Sequence, residues 1–168
     1  MELVHSRSLV YIQNAAKVAA FGWDRMAPVL KIQELLGGEA VTGPLMTEFD
    51  VVRLVRKGLS VAAVDGFLAA THQPFSAIEP YVMPRRTFNR RREADQPLDP
   101  AESDRMVRIA RMVAAAEDVL GDQERAWRWL ERPNRTLEGQ TPISMADTDL
   151  GAQGVERLLG QIAHGLAA

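Results

Sequence analysis

The stretch Pro84-Arg85-Arg86-Thr87-Phe88-Asn89-Arg90-Arg91-Arg92 places five arginines within nine residues and contains no acid. Proline is well tolerated in the first turn of a helix, so this basic segment (residues 84–92) predicts a short helix that begins at its proline. Nine helical residues extend about 13 Å, which is comparable to the width of the DNA major groove, about 12 Å. The segment therefore predicts a helix that contacts DNA.

A helical wheel sorts the side chains of the basic segment onto two faces. Phe88 is its only large apolar residue, so we expect this ring to face the protein. The outward face then carries the guanidinium groups of Arg86 and Arg90, with the Asn89 amide beside them. Guanidinium groups hydrogen-bond to guanine O6 and N7, and side-chain amides to adenine N6 and N7. Arg85, Arg91 and Arg92 are predicted to lie nearer the protein surface and are long enough to reach phosphates. The predicted DNA contacts are Arg85, Arg86, Thr87, Asn89, Arg90, Arg91 and Arg92.

The residues before the basic segment predict the rest of a helix-turn-helix. We interpret residues 75–82 as a short helix that crosses the DNA backbone, followed by the turn Val82-Met83-Pro84. If about five phosphates are neutralised, log affinity falls against log salt with a slope of about −4 to −5. Two alternatives stay open: a solvated basic surface without a partner, and arginines that bind only the acidic C-terminal half.

The charge of the rest of the chain is uneven. Residues 1–84 carry seven bases and eight acids, whereas residues 93–168 carry eight bases and fourteen acids. A basic segment beside an acidic half indicates a polyanion bound at one place and a different partner elsewhere. The same acids also suit a merely soluble surface, and this alternative stays open.

The composition argues against several classes of protein. The 168 residues include no cysteine, which excludes a disulfide framework and a thiolate metal site. The three histidines, at positions 5, 72 and 164, have no metal-site spacing. No apolar run approaches the ~20 residues of a membrane span, and no signal peptide is evident. We expect a cytoplasmic protein without metal or cofactor that is not an enzyme, because nucleophile and phosphate-loop motifs are missing.

Apolar residues recur at helical spacing along nearly the whole chain, which predicts an all-α fold. We expect a helix over residues 9–36 with interruptions near Gly22 and Pro28, and a short extended piece over residues 40–42. Glycines predict helix ends at Gly58 and Gly121. A long helix is predicted after Pro100 and a last helix over residues 149–164.

The C-terminal half carries a denser set of motifs. In chain order they are Ala126-Trp127-Arg128-Trp129-Leu130, Arg132-Pro133-Asn134, Leu137-Glu138-Gly139-Gln140-Thr141-Pro142, Asp147-Thr148-Asp149-Leu150-Gly151 and His164-Gly165. This order resembles the toxin-binding domain of the Xre/MbcA/ParS antitoxin family. Ser103-Asp104-Arg105 and the start of the basic segment are similar to the Xre-type antitoxins of that family. The resemblance covers roughly residues 30–168 and departs from the family at Ile143-Ser144-Met145-Ala146, where relatives tend to be leucine-rich.

The resemblance implies an antitoxin of a type II toxin–antitoxin system. Its expected partner is a RES-domain toxin, an ADP-ribosyltransferase-like enzyme that depletes NAD, and direct binding is expected to block it. The resemblance also implies a homodimer within a larger toxin–antitoxin assembly that binds operator DNA and represses its own operon. The alternative is a stand-alone helix-turn-helix transcriptional regulator whose C-terminal domain dimerises or senses a ligand.

We divide the chain at Gln96-Pro97-Leu98-Asp99-Pro100, where two prolines stop helix propagation. The predicted parts are an N-terminal helical and dimer-contact segment (1–45), a helix-turn-helix domain (46–96) and a toxin-binding domain (97–168). Residues 1–29 have no clear counterpart in the family. The predicted toxin contacts are Arg132, Pro133, Asn134, Arg135, His164, Gly165, Leu166, Ala167 and Ala168.

Several of these C-terminal residues also have a plain structural interpretation. Asn134 after a proline suits a turn, and His164 before a glycine suits a helix C-cap. The apolar stripe of the last helix favours domain core over a partner surface. Trp127 and Trp129, two residues apart, cannot share a helix face, so only one of them is expected in the core.

Overall fold

Residues 23–165, the part of the chain that a computed structural model describes, with side chains from Pro28 onward, consist of helices, turns and short irregular connections, without a strand. The helices are α1 (Trp23–Leu35), α2 (Glu39–Thr42), α3 (Glu48–Lys57), α4 (Val61–Thr71), α5 (Arg85–Glu93), α6 (Pro100–Leu120), α7 (Gln123–Leu130) and α8 (Asp149–Ala163). Shorter 3₁₀ turns occupy Phe75–Ala77, Arg135–Leu137 and Pro142–Asp147. The predicted all-α fold is confirmed. Residues 1–22 and the tail residues Leu166, Ala167 and Ala168 lie outside the described residues.

Local capping chemistry sets the limits of the main helices. The Asp99 side chain accepts from the Glu102 N–H at 2.8 Å, and the Glu102 side chain accepts from the Asp99 N–H at 2.9 Å. This capping box and Pro100 in the first turn start α6 where the two prolines predicted a break. Gly58 and Gly121 end α3 and α6 with φ of +92° and +86°, as predicted.

Helix α6 is the centre of the fold, because α1, α3, α7 and α8 all pack against it. Its inward residues are almost fully buried, and the core that they form runs without interruption from α1 to α8. Helix α7 adds Trp127, whose ring meets Phe67 of α4 edge-on at a centroid distance of 6.5 Å. Trp127 is the core tryptophan, whereas Trp129 is half-buried, as the two-residue spacing predicted.

Three local predictions are wrong. Residues 75–82 form one 3₁₀ turn followed by irregular turns, because Pro80 lacks an N–H and disfavours the helical conformation of the residue before it. Residues 40–42 belong to the short helix α2, which the Thr42 hydroxyl supports by donating to the Gly38 carbonyl at 3.1 Å. Helix α1 continues across Pro28, since burial of the turns that follow holds the helix together.

The predicted boundary around residues 96–100 is packed into the structure. Leu98 is buried, and its N–H donates to the Leu59 carbonyl at 2.8 Å. The division into three parts with separate roles stays a prediction. Within residues 23–165, no helix is long and apolar enough to cross a membrane.

Candidate functional site

Helix α5 is held to the protein by its single apolar side chain. Phe88 is 3% exposed, and its ring stacks on that of Phe75 with a centroid distance of 4.6 Å and an interplanar angle of 17°. The predicted inward face of the basic segment is therefore confirmed. The partner ring comes from the 3₁₀ turn that replaces the predicted first helix.

The opposite face of α5 is free of internal partners among the described residues. Arg86, Asn89 and Arg90 are exposed, and together with Arg85 and Glu93 they line one surface hollow. Arg86 and Arg90 form no ion pair with any described residue, whereas Thr87 is half-buried beside them. Hydrogen-bond donors spaced one helical turn apart on an open surface are suited to reading base edges in a groove.

Two flanking arginines are tethered but remain half-exposed. Arg85 lies over the Phe75 ring, 5.1 Å from its centroid, with its Nε 3.7 Å from a Glu79 carboxylate oxygen. Arg92 lies 4.6 Å from the centroid of the Phe88 ring and pairs with Asp65. A cation held over a ring is pre-oriented, and exposed pairs of this kind exchange readily. Both side chains therefore keep an oriented guanidinium group at the protein surface.

Arg91 differs from the other four arginines because it points into the protein. Its side chain is 15% exposed, and its Nε lies 2.7 Å from a Glu102 carboxylate oxygen, an ion pair without an aligned hydrogen bond. Its other nitrogens lie 3.0 Å from the Pro97 carbonyl and 3.3 Å from Asp99. Arg91 therefore binds acids of the C-terminal half, as the second alternative interpretation of the basic segment predicted. The helical wheel predicts Arg91 near the protein surface, together with Arg85 and Arg92, but does not predict its ion pairs.

The loop between α7 and α8 is closed by its own hydrogen bonds. The Asn134 N–H donates to the Gln140 carbonyl at 2.9 Å, and the Asn134 side chain accepts from the Thr136 N–H at 2.9 Å. The turn role of Asn134 is thereby confirmed. Arg132, Pro133 and Arg135 are exposed around this closed turn.

Helix α8 buries most of its apolar side chains within this protein and leaves few of them exposed to a partner. Val155, Leu158 and Leu159 are buried, which confirms that this part of the apolar stripe belongs to the core, whereas Ile162 of the same stripe is half-buried. His164 is the C-cap of α8, as its position before a glycine suggested, and its N–H donates to the Gly160 carbonyl at 3.2 Å. His164 and Gly165 are exposed. No hydrogen bond or ion pair joins residues 132–135 to residues 164–165 among the described residues, so different elements hold the two groups.

A cleft of about 1070 Å³ lies where α1, α6 and α8 meet. Lys31 pairs with Glu117 across it at 3.1 Å, and the hydrogen bond with Glu117 raises the pKa of this lysine. Burial alone would lower the pKa of Arg111, but its bonds with Glu156 and Asp149 outweigh that effect and the pKa is raised. Both basic side chains that line the cleft are therefore held in ion pairs, whereas the Glu48 and Asp118 carboxylates, which also line it, form no ion pair with a described residue. No three His, Asp or Glu side chains of residues 23–165 are grouped as a metal site.

Two family models match this chain, in two consecutive ranges. Residues 50–111 match the Antitoxin Xre-like helix-turn-helix domain, and residues 115–165 match the Antitoxin Xre/MbcA/ParS C-terminal toxin-binding domain. An Antitoxin Xre of Yersinia enterocolitica is 32% identical over 118 residues, which are 69% of this chain and 80% of that protein. This chain belongs to the Xre/MbcA/ParS antitoxin family. An Antitoxin Xre of Pseudomonas putida is 45% identical over 84 residues, 50% of this chain, and the match spans only about half of that relative, 53%. A Prs ADP-ribosylating antitoxin of a Sphingobium species is 30% identical over 132 residues, covering 71% of this chain and 81% of that protein.

The two ranges that match the Xre family meet inside α6. The helix-turn-helix range ends at residue 111 and the toxin-binding range starts at residue 115, so one helix serves both domains. Sequence reasoning did not predict that the first turns of α6 belong to the helix-turn-helix range, although Ser103-Asp104-Arg105 was part of the resemblance. It also missed the exposure of Phe49 and Leu150, at 76% and 77%, because helical spacing alone does not show which face a neighbour covers.

Proposed function

We propose that this protein is an antitoxin that neutralises a cognate toxin by direct binding and represses its own operon by binding operator DNA. The observation that carries the proposal is the outward face of α5, with Arg86, Asn89 and Arg90 exposed in a helix-turn-helix domain joined to a toxin-binding domain. The whole-protein activity is inferred, because the match spans only about half of the P. putida relative.

DNA contact is assigned to four arginines and one amide of α5. Arg86, Asn89 and Arg90 are placed against base edges, and Arg85 and Arg92 against phosphates. Arg91 is left out of the contacts because two carboxylates already hold it. We expect Arg86→Ala with Arg90→Ala to weaken binding to the upstream region of its own operon while toxin neutralisation is retained. If both activities are lost in a folded double variant, the division of labour between the domains is wrong.

The partner that we propose is a RES-type toxin that consumes NAD by ADP-ribosyltransferase-like chemistry. The Sphingobium relative supports this chemistry, since its name assigns it to an ADP-ribosylating system. The excess of acids in residues 93–168 would steer association with a basic, nucleotide-binding cleft. The proposed contacts remain Arg132, Pro133, Asn134, Arg135, His164 and Gly165, together with Leu166, Ala167 and Ala168 outside the described residues.

The experiment is to induce the neighbouring gene with and without this chain and to measure cellular NAD and growth. A fall in NAD that this chain reverses supports both the antitoxin role and the RES partner. If the neighbour lowers growth but leaves NAD unchanged, the chemistry of the partner is wrong and the antitoxin role survives. If the neighbour is harmless, the stand-alone regulator becomes the better interpretation.

The sequence predicted a dimer contact in residues 1–45, and we propose that the homodimer contact extends to, and centres on, the outer face of α3 and the residues just before it. Met46, Phe49 and Val52 are exposed there at 50%, 76% and 42%. The helix is acidic in its first turn and basic in its last turn, so a second copy packed antiparallel about a two-fold axis would set acids against bases at both ends. Large apolar side chains exposed close together in sequence and flanked by charges are typical of a protein contact.

The dimer contact is tested by sedimentation velocity of the full chain over a range of concentrations. Phe49→Glu should shift the protein to monomer, because a carboxylate buried without a partner is costly. Leu150→Glu is the matched control, since Leu150 is equally exposed but lies on α8. A wild-type chain that stays monomeric, or a Phe49→Glu chain that stays dimeric, contradicts this placement.

A further inference from the structure

The chain that leads into α5 is fixed by a residue of α6. The Arg105 Nε donates to the Val82 carbonyl at 2.9 Å. Val82 and Met83 are both buried, and Pro84 follows directly as the N-cap of α5. The start of α5 is therefore tied to the second turn of α6.

The last turn of α5 is fixed by the first turn of α6. Arg91 reaches Glu102 at 2.7 Å and Asp99 at 3.3 Å, and Glu102 has only 7% of its side chain exposed. These are the two residues of the α6 capping box. The ion pair and the start of α6 therefore depend on each other.

A third tie fixes α4 to the same turn of α6. The fully buried Ser103 accepts from the Leu59 N–H at 2.9 Å, and the Leu59 carbonyl accepts from the Leu98 N–H at 2.8 Å. Glu102, Ser103 and Arg105 together reach the residues before α4, the residues before α5 and the end of α5. We call these three residues the α6 clamp.

A short helix with this charge needs such a clamp. Isolated helices below about 12–15 residues are marginal in water, and α5 has nine. Like charges one turn apart, such as Arg86 and Arg90, destabilise it further. Phe88 is its single buried side chain. One buried ring fixes the distance of α5 from the core but leaves it free to rotate about that contact.

We infer that Arg91 and Arg105 are positioning residues: the α6 clamp sets the rotation of α5 through them, and neither touches DNA. This inference rests on the proposed DNA binding. The inference assigns Arg91 a different role from the four other arginines of the basic segment, although all five carry the same charge and lie close together in the sequence. A phosphate near Arg91 would also meet the carboxylates of Asp99 and Glu102, which disfavours a direct contact.

The test uses the full-length protein, with a duplex of its own operon's upstream region and a random-sequence duplex of equal length as probes. Affinity is measured across salt concentrations for Arg91→Gln, Glu102→Gln and Arg86→Ala. Each lost phosphate contact lowers the salt slope by about 1. For a positioning residue, we expect Arg91→Gln to keep the wild-type slope and to lose about fivefold or more in affinity for the operon duplex.

The decisive variant is Glu102→Gln, which removes an acid from the neighbourhood of DNA. Simple electrostatics predicts tighter binding, whereas the α6 clamp predicts weaker binding to the operon duplex, similar to Arg91→Gln. The double variant should lose less than the sum of the two single losses, because both act through one interaction. A reduced slope for Arg91→Gln, or an unchanged or higher affinity for Glu102→Gln, overturns the inference.

Hydrogen exchange gives a readout that does not depend on DNA. Arg91→Gln and Glu102→Gln should both speed amide exchange across residues 85–93, whereas Arg86→Ala should not. If the wild-type chain binds neither duplex, the proposed function fails, and the exchange data still decide whether the α6 clamp holds α5. If Arg91→Gln does not fold, Arg105→Gln carries the same comparison, because its partner is a backbone carbonyl. Unchanged exchange in the folded variants overturns the inference.

Discussion

Replacing Phe88 by alanine isolates the contact that seats α5. The ring is 3% exposed, stacks on Phe75 at 4.6 Å and supports Arg92 on its other side. Removing a buried phenyl group typically costs about 3–5 kcal/mol, to which an aromatic pair adds about 0.5–1.5 kcal/mol. We expect Phe88→Ala to lower the free energy of unfolding by about 5 kcal/mol, a large share of the about 5–15 kcal/mol that domains possess.

Phe49 offers a matched control in the same chain. Phe49→Ala removes the same atoms from a side chain that is 76% exposed, so we expect a change of about 0.5 kcal/mol or less. Urea unfolding followed by tryptophan fluorescence measures both variants, since Trp127 is buried in the shared core. The comparison is made at a protein concentration low enough to keep the chain monomeric.

The variants should also differ in DNA binding under conditions where both are folded. Phe88→Ala should weaken binding to the operon duplex, because the exposed arginines lose their fixed direction, while toxin binding is kept. Phe49→Ala should leave the intrinsic affinity of one protomer for DNA unchanged. A Phe88→Ala variant within about 1 kcal/mol of Phe49→Ala in stability would refute the idea that this ring anchors α5.

Further expectations follow from the backbone and from one titrating group. Gly58→Ala should destabilise the protein by more than about 1 kcal/mol in thermal unfolding, because φ is +92° and a Cβ would overlap the Leu98 carbonyl oxygen. Gly160→Ala should instead stabilise it by about 0.5–1 kcal/mol, since this position is helical and open, and a loss would contradict the geometry of α8. Hydrogen bonds from the Thr47 hydroxyl and from backbone N–H groups lower the pKa of Asp50. The stabilisation of α3 by the Asp50 carboxylate is therefore present above the unfolded-state pKa and is lost as pH falls through the folded-state pKa. Carboxyl NMR titration should show this pKa rising in Thr47→Ala, and an unchanged value would remove the hydroxyl as its main cause.

Local rules were enough to predict most of the helical framework. The helix ends at Gly58 and Gly121 follow from backbone conformations that glycine adopts at low cost. The inward direction of Phe88 follows from its being the one large apolar side chain in a charged helix. The motifs of the C-terminal half identified the family before any fold was known, and the family matches confirm it.

Of two remaining errors, one has a local cause and the other depends on a distant residue. Residues 75–82 lack a helix because Pro80 interrupts them, yet Phe75 is still fixed by stacking on a ring thirteen positions along the chain. The wheel placed Arg91 near the protein surface but not in an ion pair, because Glu102 lies on another helix whose approach to α5 is set by the whole core. Angles within one helix do not contain that information.

Helix α6 connects the two interfaces without a hinge. Its first turns hold α5 through the α6 clamp, and further along Arg108 donates to the Ala146 and Asp147 carbonyls at 3.0 and 3.2 Å. After Pro100 the helix has no proline or glycine, the residues at which sharp bends arise. Helix α5, the proposed DNA contact, and the toxin-binding domain are thus held at one fixed angle. We therefore expect any effect of bound toxin on DNA affinity to come from how protomers are arranged on the duplex, since bending of α6 would have to break its buried core contacts.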